Sequence, residues 1–372
     1  MASGNYATVG GGYSNEASNA YASVGGGRSN AARNDYATVG GGGWNIASGA
    51  GATIAGGGGL YDPGPGPVVV NNTVTSNHGT IGGGGNNFVS GPFATVSGGY
   101  TNEANYAYAT VGGGQQNAAN APFATVGGGD ENEASGSYAT VSGGSSNAAS
   151  GWAATVPGGT ENLAQGFYSL ASGRRAKANN TGCFVWGDST DADVSCSVNN
   201  RWVARSSGGV YFYTNAGLTS GVYVASGGTG WSSISDRSTK ENFRPVDAQS
   251  LLDRVASMPV QEYNLKSQDA SIRHIGPVAQ DFALFGYGES NLGINMQDAD
   301  GVALAAIQGL YQQNQEQAKE IQSLKAQLSQ IEKAGSAPKT SSMPVIWVVV
   351  GLLFTAQAGM FFFFIRRQRG RL

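Results

Sequence analysis

The stretch Tyr6-Ala7-Thr8-Val9-Gly10-Gly11-Gly12 returns as Tyr21-Ala22-Ser23-Val24-Gly25 and again as Tyr36-Ala37-Thr38-Val39-Gly40, 15 residues apart each time. Its apolar anchor recurs at Val9, Val24, Val39, Ile54, Ile81, Val96, Val111, Val126, Val141 and Val156 and fades at Ala171, which makes eleven copies. Each copy joins a short β-prone run ending in Gly-Gly to a second Ala/Ser/Asn run such as Ser14-Asn15-Glu16-Ala17-Ser18. Both runs are too short and too often punctuated for helices, so two strands and two turns per copy are expected. A fixed short period is the signature of a solenoid, in which each coil buries its apolar face against the next. Stacking at roughly 4.8 Å per coil sets Val above Val in an interior ladder and predicts a parallel β-solenoid about 50 Å long. The coil is thin and its Ala and Gly faces suit close approach, so a homotrimer whose neighbouring chains complete the core is expected.

One interval is 27 residues, because twelve extra residues around Asp62-Pro63-Gly64-Pro65-Gly66-Pro67 separate the fourth and fifth copies. This insertion is expected to bulge outward as a loop. The composition agrees with small packing units: 60 of the 372 residues are glycine, and only 12% are charged. A formal net charge of −3 offers no attraction to a nucleic-acid backbone, so no nucleic-acid partner is expected. Two histidines, His78 and His274, and two cysteines, Cys183 and Cys196, do not furnish a zinc site, and no metal or cofactor is expected. The cysteines either bridge within one loop or sit as reduced small hydrophobes. Runs such as Gly40-Gly41-Gly42-Gly43 lack the Lys and Ser/Thr of a phosphate loop and the helix that a dinucleotide turn opens.

Units such as Ala134-Ser135-Gly136-Ser137-Tyr138 followed by Ala139-Thr140-Val141 make residues 1–175 resemble the head repeats of trimeric autotransporter adhesins and the haemagglutinin-like repeats of phage and bacterial fibres. The resemblance implies a left-handed parallel β-roll in a trimer. The chain departs from that family in using Val-Gly-Gly-Gly where many adhesin heads have Ala-Ile-Gly, so a host ligand does not transfer with it. The aromatic positions Tyr6, Tyr21, Tyr36, Phe93, Phe123 and Tyr138 are read first as a ladder packing between coils. The second reading is a stripe that binds a cell-surface or glycan ligand.

After the repeat, residues 176–231 carry larger side chains, as in Phe184-Val185-Trp186, Arg201-Trp202-Val203 and Val210-Tyr211-Phe212-Tyr213. This predicts a β-rich neck of hairpins or an interleaved three-chain prism. Residues 232–302 begin with Ser232-Ser233-Ile234-Ser235-Asp236-Arg237-Ser238-Thr239-Lys240-Glu241-Asn242. Leu251, Leu252 and Val255 then fall at helical spacing up to Pro259, Val260-Gln261-Glu262-Tyr263-Asn264 reads as a strand, and His274-Ile275-Gly276-Pro277-Val278-Ala279-Gln280-Asp281-Phe282 follows.

Taken in that order and followed by a heptad helix, these motifs resemble the intramolecular chaperone domain of phage tail spikes, the peptidase S74 domain, over about residues 232–332. The resemblance implies that the domain assists trimer assembly and then cuts the chain once with a Ser-Lys dyad. Carried over by position, Ser235 is the nucleophile, Lys240 the general base, and the scissile bond lies between Ile234 and Ser235. A hydroxyl needs a base to take its proton, and a lysine serves as that base only where desolvation favours its neutral form, which burial in an assembled trimer would supply. Asp236 and Glu241 either orient Lys240 or cap a turn, and His274 is either a third catalytic group or a hydrogen-bonded residue that orders the turn at Gly276-Pro277.

Residues 303–334 carry a seam of Ile307, Leu310, Asn314, Gln317, Ile321, Leu324, Leu328 and Ile331, alternating three and four residues apart, which predicts a trimeric coiled coil. A linker at 335–343 leads to residues 344–365, 22 residues without a charge from Pro344 to Ile365, long enough for one transmembrane helix. The tail 366–372, with Arg366, Arg367, Arg369 and Arg371, places the C-terminus in the cytoplasm by the positive-inside rule and the head outside. No charged n-region with an apolar stretch follows Met1, so the alternative is a tail-anchored chain with its fibre in the cytosol. An anchor behind a chaperone domain resembles the layout of myelin-regulatory-factor proteins, in which a membrane-tethered trimer releases its N-terminal part.

The fold class expected is thus mainly β: a trimeric parallel β-roll head and β neck, a small α+β chaperone domain, a coiled coil and one transmembrane helix. The function expected is a membrane-anchored homotrimeric fibre that releases its head by self-cleavage as a single-turnover serine peptidase. The rivals are a tethered adhesin or a viral tail fibre in which the domain is purely structural.

Overall fold

A computed structural model describes residues 1–61, 66–288 and 290–335, and the chain divides into two compact units, Met1–Ile234 and Ser235–Leu372. The membrane-spanning segment expected at 344–365, the basic tail and all but the first residue of the 335–343 linker lie outside the described residues. Among the described residues no helix is long and apolar enough to cross a membrane.

The first unit is a parallel solenoid built from two long sheets of very short strands. One sheet stacks the Thr-Val runs in register, Thr110 on Thr125 and Val111 on Val126, and the other stacks the second runs, Glu103 on Ala118 and Ala104 on Ala119. Isolated bridges such as Gln115 to Asp130 add a third rail along the coil. The two-residue strands alternate out and in: β-branched Thr lies at the surface and Val turns inward. Every inner Val or Ile from Val24 to Val156 is fully buried, as are the Ala residues facing them, such as Ala109 and Ala119. The interior is therefore closed within one chain, and no neighbouring chain is required to cover it, contrary to the argument that a thin coil leaves its core unfinished.

A buried asparagine column lies beside the valines. Asn30, Asn45, Asn72, Asn87, Asn102, Asn117, Asn132, Asn147 and Asn162 are all buried. Asn117 Nδ2 donates to the carbonyls of Gly113 at 2.9 Å and Gly129 at 2.8 Å, while its Oδ1 accepts from Asn132 N at 3.0 Å. No described buried side-chain polar atom lacks a partner, so hydrogen bonds within the column offset the cost of taking its amides out of water.

Most coils turn at a non-glycine residue in the left-handed region, among them Tyr21, Tyr36, Phe93, Tyr108, Phe123 and Tyr138, with φ between 58° and 62°, while Gly51 takes that position in the coil after Tyr36. L-residues resist that conformation. Here the rings compensate by stacking on the same residue of the next coil, with centroids 4.9 Å apart for Phe123 and Tyr138 and planes 3° apart. The ladder is the packing arrangement expected from the sequence. Tyr6, Tyr21 and Tyr36 form one stack, and His78 starts another on Phe93.

The insertion is not a plain loop. Gly59–Tyr61 pairs antiparallel with Val68–Val70 as a hairpin, after which Thr73 resumes the sheet beside Ile46. Parallel stacking also runs beyond residue 175. Leu170 pairs with Phe184, and Phe184 pairs with Trp202, so two more coils follow with spacings of 14 and 18. The longer coil carries Asp188, held by Arg205 Nε at 2.8 Å, and the pair Arg175–Asp193 at 2.8 Å. Cys183 and Cys196 are joined in a buried disulfide inside these last coils. Antiparallel pairing of the kind expected for a neck begins only at Gly209–Tyr213, which pairs with Gly221–Ala225, which in turn pairs with Ser232–Ser233.

In the second unit, helix Ala248–Ser257 is capped by Asp247, whose carboxylate accepts from Ser250 N, and ends before Pro259. Its Leu251 packs with Phe282, Phe285, Val302 and Ala306, the last two from the helix Met296–Gly335. The two helices approach closely at Gly309, where an added Cβ would stand 2.3 Å from the Ala248 carbonyl oxygen. The seam residues expected for a coiled coil, from Ile307 and Leu310 to Leu328 and Ile331, lie on this same helix and are exposed on the chain.

Candidate active site

The second unit opens with Ser235-Asp236, a single 3-10 turn over Arg237–Thr239, and Lys240 in extended conformation at its end. An Asp followed two residues later by Ser is a sequence that closes a turn on itself, because the carboxylate can accept the backbone N–H ahead of it. Asp236 does this twice, its Oδ1 accepting from Ser238 N and Ser238 Oγ, both at 2.7 Å. These bonds, the side-chain one foremost, hold the Asp236 carboxyl below the usual carboxylate range. Thr239 Oγ1 donates to the Asp236 carbonyl at 2.8 Å, and the Arg237 guanidinium lies over the Phe243 ring at 4.5 Å.

The turn brings Lys240 back to Ser235. Lys240 Nζ stands 2.5 Å from Ser235 Oγ, in direct hydrogen bond, and both residues are exposed. Lys240 Nζ donates and Ser235 Oγ accepts, and a hydroxyl and an amine within this reach are the side-chain pair that covalent catalysis by a hydroxyl uses. Ile234 is the last residue of the first unit, half-buried, with its N–H donating to the Gly221 carbonyl at 3.0 Å. The bond between Ile234 and Ser235 thus joins the two compact units.

His274 is placed on a different device. It lies in the strand His274–Gly276, paired with Gln261–Tyr263, and its ring stacks on Tyr263 while Nε2 meets Gln268 Oε1 at 2.7 Å. It makes no hydrogen bond to Ser235 or Lys240, and among the described residues Glu241 forms no ion pair with Lys240. Sequence reasoning singled out Asp236 but not Ser238 and Thr239, although their spacing from it is the visible signal. Among the described residues no cluster of three or more His, Cys, Asp or Glu side chains is arranged to hold a metal ion.

A family model described as Peptidase_S74, chaperone of endosialidase, matches residues 235–284, beginning at the serine of this pair and reaching past the His274 strand. No curated protein matches the chain. The match to a chaperone-of-endosialidase domain thus follows a long parallel β-solenoid and the antiparallel strands between Gly209 and Ser233. That combination suggests a trimeric protein of tail-spike or tail-fibre kind.

Proposed function

We propose that this chain is a membrane-anchored homotrimeric fibre whose domain at 235–284 assists trimer assembly and then cleaves the Ile234–Ser235 bond, releasing the head. The observation that carries the reading is the 2.5 Å contact between Lys240 Nζ and Ser235 Oγ at the first residue of the family match. In the step proposed, Lys240 as the free amine takes the Ser235 hydroxyl proton and Oγ bonds to the Ile234 carbonyl carbon. The C–N bond then breaks as the Ser235 nitrogen gains a proton. Water hydrolyses the resulting ester, leaving a carboxylate on Ile234 and a free amine and hydroxyl on Ser235. Each chain reacts once, and no cofactor takes part.

Lys240 and Ser235 stand in solvent on the single chain. Assembly is the proposed source of the desolvation that a lysine base needs, so cleavage would follow correct trimer formation. Three exposed apolar surfaces support assembly from copies of this chain. One is the seam of Ile307, Leu310, Ile321, Leu324, Leu328 and Ile331, and a second is the face of the antiparallel sheet that carries Phe212 beside Trp231. The third is the aromatic ladder, which also offers ring edges to a cell-surface or glycan ligand. The anchor at 344–365 rests on its 22 uncharged residues and the four arginines behind them.

Native mass spectrometry of the full chain in detergent tests both arms. The expected species is a trimer of fragments beginning at Ser235, with the head recovered separately. A verified trimer of intact chains would leave a tethered adhesin, and a monomer would remove the assembly arm.

A further inference from the structure

We propose that Asp236 is a positioning residue for the Ser235–Lys240 pair, acting through the turn between them and not on either reacting atom. The proposal rests on the reading that this pair cleaves the chain. Residues five apart in an extended strand have Cα atoms about 17 Å apart, too far for a side-chain hydrogen bond between a serine and a lysine. Here Ser235 and Lys240 touch because one 3-10 turn intervenes.

Nothing in the hydrophobic core holds that turn, since none of Arg237, Ser238 or Thr239 is buried. Its backbone bonds are long: Thr239 N to the Asp236 carbonyl at 3.3 Å, and Lys240 N to the Arg237 carbonyl at 3.2 Å. The side-chain bonds are shorter, with the two from Ser238 to Asp236 Oδ1 at 2.7 Å and the one from Thr239 Oγ1 at 2.8 Å. The Asp236 carboxylate accepts two of these three and makes no hydrogen bond to Ser235 or Lys240. Its acceptor oxygen, not its charge, is what the turn uses. Asparagine keeps that acceptor in the same place, alanine removes it, and glutamate moves it by one methylene.

The test follows cleavage in time for the unmodified full chain and for Asp236→Asn, Asp236→Ala and Asp236→Glu, each confirmed as a trimer. The expected result is a rate near the unmodified one for Asn and about tenfold slower for Ala, the size of a lost side-chain cap, with Glu between them. An Ala variant that cleaves at the unmodified rate overturns the proposal. So does an Asn variant as slow as Ala, which would make the negative charge the active feature.

Hydrogen exchange over residues 236–240, measured on Ser235→Ala chains with and without Asp236→Ala, reads the turn without cleavage. Faster exchange of the Ser238 amide in the double variant is expected, and unchanged exchange overturns the proposal. If the unmodified chain never cleaves, the Ser-Lys reading fails, while the exchange result still decides the role of Asp236 in the turn.

Discussion

The amide oxygen of Asn117 accepts the backbone N–H of Asn132 one coil further on, at 3.0 Å, while its nitrogen spans the carbonyls of Gly113 and Gly129. These bonds tie two successive coils together, and a further one from Asn117 Nδ2 to Asn102 Oδ1 at 3.1 Å reaches the preceding coil. Asn117→Ala leaves the buried Asn132 N–H without its acceptor, while the Gly129 carbonyl keeps the Gln115 N–H, and a buried unsatisfied group costs about 1–3 kcal/mol. The variant is expected to lower the denaturation midpoint of the head substantially. Substitution of exposed Gln116 on the same coil is expected to shift it little, and equal effects at the two positions would remove the column from the account.

Two adjacent glycines are expected to differ sharply. A Cβ on Gly83 meets nothing within 4 Å, whereas on Gly84, with φ of 80°, it would stand 2.0 Å from the Gly99 carbonyl oxygen. Gly83→Ala should fold with an unfolding midpoint close to the original. Gly84→Ala should give an insoluble or strongly destabilised head, read by solubility and thermal unfolding.

The aromatic ladder makes a less obvious prediction at Tyr108, whose ring stacks on Phe93 at 5.3 Å and Phe123 at 5.0 Å, with a backbone φ of 61°. Removing the ring loses about 0.5–1.5 kcal/mol per stack in either replacement. Glycine accepts the left-handed conformation that alanine resists, so Tyr108→Gly is expected to be more stable than Tyr108→Ala by about 1 kcal/mol. Chemical denaturation of the two variants gives the order directly, and Ala above Gly contradicts it.

Asp188 in the 18-residue coil carries a carboxyl held far below the usual range, first by the Ser207 N–H and then by the Arg205 guanidinium. A carboxyl depressed in the folded state adds stability above its unfolded pKa, about 3.9, and loses it as pH falls toward the folded value. The advantage of the original chain over Asp188→Asn in thermal unfolding should therefore be full at pH 6 and shrink below about pH 4. A gap that is constant with pH contradicts the assignment.

The strict period made the solenoid legible, since Val24, Val39 and their successors mark the interior in plain view. The last two coils were not, because their spacings of 14 and 18 break the period while Val185 and Val203 keep the stacking. The asparagine column recurs as regularly as the valines from Asn15 onward, yet a polar residue in a Gly- and Ser-rich run reads as a turn, and its burial depends on carbonyls twelve residues away. The Cys183–Cys196 bridge was one of two open readings, because sequence spacing does not fix which side of a coil each sulfur faces. At the candidate site Ser235 and Lys240 stood out through their motif, and their contact follows from the Asp236-x-Ser238-Thr239 turn. The partner of His274, Gln268, sits in a connection with no periodicity to reveal it.

Ser235 and Lys240 are proposed to cut the chain that carries them. A denaturing gel with intact-mass analysis of the full chain, beside Ser235→Ala and Lys240→Ala, tests this most directly. The account predicts two fragments from the unmodified chain alone, one ending at Ile234 and one beginning at Ser235, and single intact chains from both variants. An unmodified chain that stays whole in a verified trimer, or a Lys240→Ala chain that is cut at the same bond and rate, would contradict it.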